Sequence, residues 1–190
     1  IKHICDRNFG VGCDLLTVLE PSDNADIFAR FYNADGSESD ACGNATRCVA
    51  DIVMKERGST ACKIKTGRGV LEAEAADGGM ITVDMGAPIA VEDIASPDTR
   101  LPNPITVNMG NPHCVFFLDT LEGVPIEEIG PAIENNPIFP NKTNVEFVEV
   151  LSETKMRQRT WERGVGITLA CGSGACATAV AGAHTGRTGN

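Results

Sequence analysis

Two stretches of the chain set a cysteine directly before a glycine at the head of a run of small and apolar residues: "DACGNATRCVADIV" (residues 40–53) and "TLACGSGACATAVA" (residues 168–181). Each Ala-Cys-Gly junction opens a segment that reads as a helix. A helix N-terminus presents unpaired backbone N–H groups and a partial positive charge, and a glycine beside it lets a ligand approach the backbone closely. Such a place suits a carboxylate, and it favours thiolate over thiol in an adjacent cysteine. A single Cys-Gly reads most simply as a buried small residue at a tight turn. Two of them, facing each other across a cleft, would set one sulfur on either side of a single carbon. A thiolate on one face and a thiol on the other can then carry out a 1,1-proton transfer, in which one sulfur removes an α-hydrogen and the other returns a proton from the opposite side. That chemistry inverts a stereocentre with no hydrolysis, no redox change and no cofactor.

The elements that must hold these cysteines are legible in outline. After Cys42, small or apolar residues fall at Ala45, Cys48, Val49, Ile52 and Val53, the spacing of an amphipathic helix, which should stop near Gly58. "ACKIKTGRGVLEAEAADGGMITVDMG" (61–86) reads as three strands broken by Gly-Arg-Gly and Asp-Gly-Gly turns, an antiparallel meander. Between Gly86 and Pro104 four prolines (Pro88, Pro97, Pro102 and Pro104) and few periodic apolar residues predict a linker. Beyond it "ITVNMG", "HCVFFLD", "NVEFVEV" and "TKMRQRTWE" read as strands and "PIEEIGPAIENN" as a short helix. "CGSGACATAVAGAHTG" (171–186) supplies a second helix, small on every side and therefore expected to be buried all round. The expected architecture is α+β (α/β in the broad sense): two pseudo-symmetric domains, residues 1–95 and 96–190. Each is expected to be a curved antiparallel sheet around a central Cys-Gly-headed helix, with the active site in the interdomain cleft.

Composition narrows the function. With 190 residues and 42% hydrophobic content the chain can bury a sizeable core, while a net charge of −10 argues against nucleic acid or an anionic membrane surface as partner. No stretch approaches the length of a membrane span, and nothing near Ile1 has the form of a signal peptide. The chain opens without an initiator Met, so an upstream segment stays open. The expected location is the cytoplasm, where the eight cysteines stand as reduced thiols. The absence of a Cys-x-x-Cys pair and the presence of only three histidines speak against a structural metal site. Cys5, Cys48, Cys62 and Cys114 are expected to be small buried hydrophobes.

"NADGSESDACGNATRCVA", "VNMGNPHCVFF", "TNVEFVEV" and "WERGVGITLACGSGACATAVA", in that order along nearly the whole chain, resemble diaminopimelate epimerase, a cofactor-independent family with two catalytic cysteines. Proline racemases and hydroxyproline epimerases share the two-cysteine logic, but their first motif usually reads Cys-Gly-His where this chain has Cys42-Gly43-Asn44. The resemblance implies that Cys42 and Cys171 are the acid/base pair in the interconversion of LL- and meso-diaminopimelate, a step toward lysine and peptidoglycan. It implies that backbone amides at Gly43, Asn44, Gly172 and Ser173 hold the reacting carboxylate. Asn33, Asn111, Asn144 and Arg163 would grip the distal amino-acid end, with Glu162 and His113 near the reaction centre. Taken alone, Asn33, Asn111 and Asn144 read as turn or strand-start chemistry, Glu162 and Arg163 as a solvated strand end, and His113 as a core histidine. The implied partner is a small amino-acid substrate, with no metal and no cofactor, and a homodimer is left open. Two features depart from the family: Leu15 stands in "GVGCDLL" where many members carry Gln, and the early asparagine motif has no counterpart. The family pattern also implies a chain truncated at both ends. The rival readings are a racemase of another amino acid, such as a proline derivative, and a non-catalytic amino-acid-binding module.

Overall fold

The structure is a computed structural model that describes residues 1–189; Asn190, the last residue of the expected second half, lies outside them. The chain divides into two compact units, residues 1–86 and the remainder from Ala87 on.

The first unit contains α1 (Lys2–Cys5), β1 (Leu15–Glu20), β2 (Ile27–Asn33), β3 (Glu38–Ser39), α2 (Gly43–Arg57), β4 (Ala61–Thr66), β5 (Gly69–Ala76) and β6 (Met80–Val83). Its sheet runs β1-β2-β4-β5-β6, with β3 on β2. The β4-β5-β6 meander is the one read from the sequence. One pair departs from the antiparallel expectation: β2 and β4 are parallel, Ile27 opposite Ile64, because α2 carries the chain across between them. Ala29, Phe31 and Ile64 are fully buried and pack with Val49, Ala50, Val53 and Met54 of α2. Burial of a Phe or Ile side chain contributes roughly 1.5–3 kcal/mol each. Gly58 ends α2 in the left-handed conformation, its N–H bonding Met54 O, where the sequence placed the stop. The buried stripe is turned by one residue from the expected one, toward Ala50 and Met54. Apolar residues flank Val49 and Val53 on both sides, so periodicity alone did not choose between the two stripes. As a result Ile52 and Cys48 are exposed, both against expectation.

The second unit contains β7 (Ala90–Asp93), β8 (Ile105–Asn108), β9 (Pro112–Leu118), α3 (Ile126–Glu134), β10 (Asn144–Ser152), β11 (Lys155–Glu162), β12 (Gly166–Thr168) and α4 (Gly172–His184). The sheet order is β12-β11-β10-β9-β8-β7. Here too a single pair is parallel: β9 and β10 align His113 with Asn144, joined by the α3 crossover. The segment expected as a linker in fact delivers β7, which pairs with β8 from Ala90↔Asn108 to Asp93↔Ile105. That pairing draws the division between the units to Gly86/Ala87, earlier than the expected 95/96 boundary.

Side-chain alternation assigns the two faces of this sheet. Cys114, Phe116, Val145 and Phe147 pack with Ile126, Ile129 and Ile133 of α3. The alternate residues His113, Asn144 and Glu146 look the other way, and Glu146 Oε1 lies directly against Gly174 of α4. With a helix on each face, β9 and β10 are buried at successive positions, as strands covered on both sides must be. α4 itself buries only one face, Ser173, Gly174, Ala177, Thr178, Ala181 and Gly182, while Ala175 and Ala179 are exposed, so the helix is not enclosed on every side as expected. Among the described residues no helix is long and apolar enough to cross a membrane.

Gly130 of α3 lies against Trp161, and a Cβ there would stand 2.6 Å from the indole Cγ and Cδ2. In an open helix Gly→Ala stabilises by about 1 kcal/mol, but here the indole or the helix must move, at about 1–3 kcal/mol. Gly130→Ala should therefore lower the melting temperature and change the fluorescence of Trp161, the chain's sole tryptophan. A raised melting temperature with unchanged emission would contradict this packing.

Candidate active site

Cys42 closes the extended run after β3 and is the N-cap of α2, with φ −149° and ψ 101°. The β4–β5 turn fixes its approach. Arg68 N donates to Asp40 O at 3.1 Å, and Gly67 leaves room for Asp40, since a Cβ there would lie 2.6 Å from Asp40 Oδ1. Ser39 Oγ donates to Ala41 O at 3.1 Å. Both Thr46 N and Thr46 Oγ1 donate to Cys42 O at 2.9 Å, which locks the first helical turn. Gly43 and Asn44 follow as the first helical residues, and Asn44 Oδ1 accepts from Arg47 Nη2 at 2.5 Å. Asn33 ends β2 in the hairpin to β3, where its N donates to Ser37 O at 2.8 Å and its Nδ2 to Ser37 Oγ at 3.0 Å. Turn chemistry occupies this side chain, as its "YNADG" setting suggested. Leu15 is half-buried and packs against the core of this unit.

Cys171 is the N-cap of α4, with φ −123° and ψ 110°, close to the conformation of Cys42. Its sulfur accepts from Gly174 N at 3.3 Å and lies 3.6 Å from Ser173 Oγ. From there a line of contacts runs into the sheet. Asn111 Nδ2 donates to Ser173 Oγ at 3.1 Å, Asn111 Oδ1 lies 3.0 Å from His113 Nε2, and His113 Nδ1 lies 2.8 Å from Glu146 Oε1. His113 and Glu146 are fully enclosed. Asn144 ties a second group together: its Nδ2 donates to Pro112 O at 2.8 Å and its Oδ1 accepts from Arg163 N at 2.9 Å. Arg163 Nη1 donates to Asn141 O at 3.1 Å, and Glu162 Oε1 accepts from Thr168 Oγ1 at 2.5 Å.

The second unit therefore gathers Asn111, His113, Ser173 and Cys171 into one connected cluster and Asn144 with Arg163 into another. Two buried carboxylates that hold these clusters escaped the sequence reading. Glu134, on α3, accepts from Trp161 Nε1 at 2.7 Å and from Gly164 N at 2.9 Å, which steadies the turn that carries Arg163. Glu146 supports His113. A signal for Glu146 was present: strand alternation puts it on the same face as Asn144, in the middle of a run otherwise rich in Val and Phe. For Glu134, at the end of an acidic helix, nothing local announced that it turns inward.

Electrostatics at Cys171 run against the expectation of a resting thiolate. Gly174 N–H and Ser173 both pull the sulfur toward ionisation, as a helix start should. Burial outweighs them, and the charges of Glu146 and Glu162 add to it, so the thiol is pushed up to about 12. At neutral pH this sulfur is held in its thiol form.

The sequence profile of the family described as Diaminopimelate epimerase matches residues 1–91 and 105–190. The chain is 47% identical to the diaminopimelate epimerase of Acidiphilium cryptum over 190 residues, covering 94% of this chain and 69% of that protein. It is 46% identical to the diaminopimelate epimerase of Rhodospirillum centenum, covering 99% and 69%. Among solved structures, a probable proline racemase from Agrobacterium radiobacter superimposes with a TM-score of 0.75 at 15% identity, covering all of this chain and 66% of the other, a likeness of fold.

The raised thiol has a consequence for stability. The unfolded chain releases the Cys171 proton near the ordinary value of 9.0, the folded chain near 12, so between the two the folded state binds more proton. The stabilising contribution is complete at neutral pH and declines as pH climbs through that window. Between about pH 8 and about pH 10.5, urea unfolding should show the parent chain losing about 2 kcal/mol more than Cys171→Ser. Equal losses would remove the buried-thiol assignment.

Proposed function

Because the chain belongs to the diaminopimelate epimerase family, we propose that it interconverts LL- and meso-diaminopimelate by a two-thiol, 1,1-proton transfer at the α-carbon. The observation that carries the reading is the pair of cysteine N-caps, Cys42 and Cys171, each in extended backbone at the start of a helix and each followed by glycine. One sulfur takes the α-hydrogen and the other returns a proton to the opposite face. In the direction that begins with Cys42 as base, the buried thiol of Cys171 supplies the returning proton, and the reverse direction exchanges the roles.

The reacting carboxylate is held by the backbone N–H groups of Gly43 and Asn44 and of Gly172 and Ser173, at the two helix starts, where backbone amides and the helix dipole favour an anion. Their partial positive charge also stabilises the carbanion as its charge spreads into that carboxylate. Arg163 offers the planar fork that binds the distal carboxylate with two parallel hydrogen bonds, and Asn33, Asn111 and Asn144 supply polar contacts to the distal end. Asn144 contributes in addition by fixing the Arg163 backbone. Glu162 and His113 border the reaction centre, and no step requires a cofactor. A reducing compartment, the cytoplasm, fits eight cysteines that stand outside disulfides.

Incubation with LL-diaminopimelate in D2O, followed by chiral separation and mass measurement, tests the reading. Deuterium at Cα with inversion is expected. Binding without label would favour an amino-acid-binding module, and label appearing in a proline derivative instead would favour a different racemase. Cys42→Ser and Cys171→Ser should each lower turnover by roughly 10²–10⁴-fold, since a hydroxyl is a far weaker acid than a thiol. Full activity in either variant would remove that residue from the pair.

A further inference from the structure

Glu146 is buried in the second unit with one oxygen, Oε2, that finds no partner among the described residues. A buried carboxylate in that condition lowers stability, and neither core packing nor the proton transfer itself accounts for its presence. Its other oxygen begins the line Glu146, His113, Asn111, Ser173, Cys171, with successive separations of 2.8, 3.0, 3.1 and 3.6 Å.

Hydrogen bonds along this line can run in two directions. In the first, Asn111 Nδ2 donates to Ser173 and its Oδ1 accepts from His113 Nε2–H, which leaves the Ser173 hydroxyl to donate to Cys171 Sγ. His113 Nδ1 and Glu146 Oε1 then share one proton, and the sulfur is an acceptor, as a thiolate requires. With the Asn111 amide turned over, His113 donates from Nδ1 to an ionised Glu146, Asn111 donates to Nε2, Ser173 donates to Asn111, and the sulfur is free to donate as a thiol. Both directions use the same heavy atoms and the same number of protons. They differ in which end of the line carries the negative charge, Cys171 or Glu146.

We propose that Glu146 is a positioning residue for Cys171, its carboxylate setting, through His113, Asn111 and Ser173, the direction of this line and so whether the sulfur acts as donor or acceptor. The proposal rests on the reading of Cys171 as one of the two acid/base thiols. A thiol that must give a proton in one direction of the reaction and take one in the other needs hydrogen bonding that serves both states, and a reversible line supplies it. The charged groups that bear on the sulfur are Glu146 from β10 and Glu162 from β11, with His113 of β9 facing Glu146. Of the two carboxylates, Glu146 is the one connected to the sulfur through this line, and its Oε1 lies where a Cβ on Gly174 would come within 2.6 Å.

The test reads charge rather than turnover, so its failure is separable from failure of the epimerase reading. The 190-residue chain and its Glu146→Gln and Glu146→Asp variants are pulsed with iodoacetamide near neutral pH, and alkylation of Cys171 is followed peptide by peptide, with exposed Cys48 as internal standard. Thiolate is the reactive form, so loss of the anion in Glu146→Gln should speed Cys171 alkylation by about tenfold or more relative to Cys48. Glu146→Asp keeps the charge and should stay near the parent rate. Equal rates in the parent and in Glu146→Gln would overturn the proposal. Acceleration in Glu146→Asp matching that in Glu146→Gln would overturn it too, since a loosened core, not a charge, would then be exposing the sulfur. If Glu146→Gln does not melt cooperatively, the Asp variant decides: a parent-like rate supports the proposal and an accelerated one sinks it.

Discussion

The N-terminus of α4 rests on β10 at a place that admits no side chain. A Cβ on Gly174 would come within 2.6 Å of Glu146 Oε1 and 3.1 Å of Cys171 Sγ. Much of the second unit follows from that contact. Glycine at 174 brings the helix start down onto the strand. The strand face beneath it must then be polar, because a helix start carries unpaired N–H groups and positive partial charge that an apolar surface would leave unsatisfied. Glu146 is the polar group there, backed by His113, and α3 covers the opposite face with Ile126, Ile129 and Ile133. The parallel pairing of β9 with β10 sets His113 beside Asn144 and so assembles the polar face from two strands distant in sequence.

The two cysteine N-caps reach similar backbone geometry by different means. At α2, the cap residue makes no side-chain cap bond, and the turn is held by Thr46 on Cys42 O and by the β4–β5 loop on Asp40. At α4 the sulfur itself caps the helix, accepting from Gly174 N. Cys42 is half-buried and Cys171 buried. That depth matters for Cys171, because burial is the most direct way to penalise the charged form of a thiol. Helix starts alone would have pushed both sulfurs the same way.

Local chemistry was legible in the sequence, and depth was not. The Cys-Gly junctions, the Gly58 stop, the β4-β5-β6 meander and the two later helices all follow from short-range patterns, and each lies where those patterns put it. The parallel pairs β2–β4 and β9–β10 depend on crossovers, whose strand partners no local pattern names. β7 hid among prolines because its four residues draw their order from β8 rather than from their own periodicity. Within the site, His113 was visible as a candidate, yet its partner Glu146 read as one charge in "NVEFVEV". Only the second helix layer shows that both faces of β10 are covered and that this charge is enclosed.

Stability alone would not preserve the Glu146–His113 arrangement. Replacing a buried charged pair with well-fitted apolar residues is often neutral or stabilising, whereas leaving one carboxylate oxygen without a partner is a loss. Val or Ile at 146 would extend the apolar character of β10 on both faces and spare the strand that loss. What such a change could not supply is an acceptor for His113 Nδ1, and without it neither the tautomer of the ring nor the orientation of the Asn111 amide is set. Ser173 would then meet Cys171 with no preferred direction of donation. The second unit thus holds a polar interior beneath a helix that small residues allow to sit close. The physical gain is a sulfur that is shielded from water and still joined, through three side chains, to the buried carboxylate of Glu146.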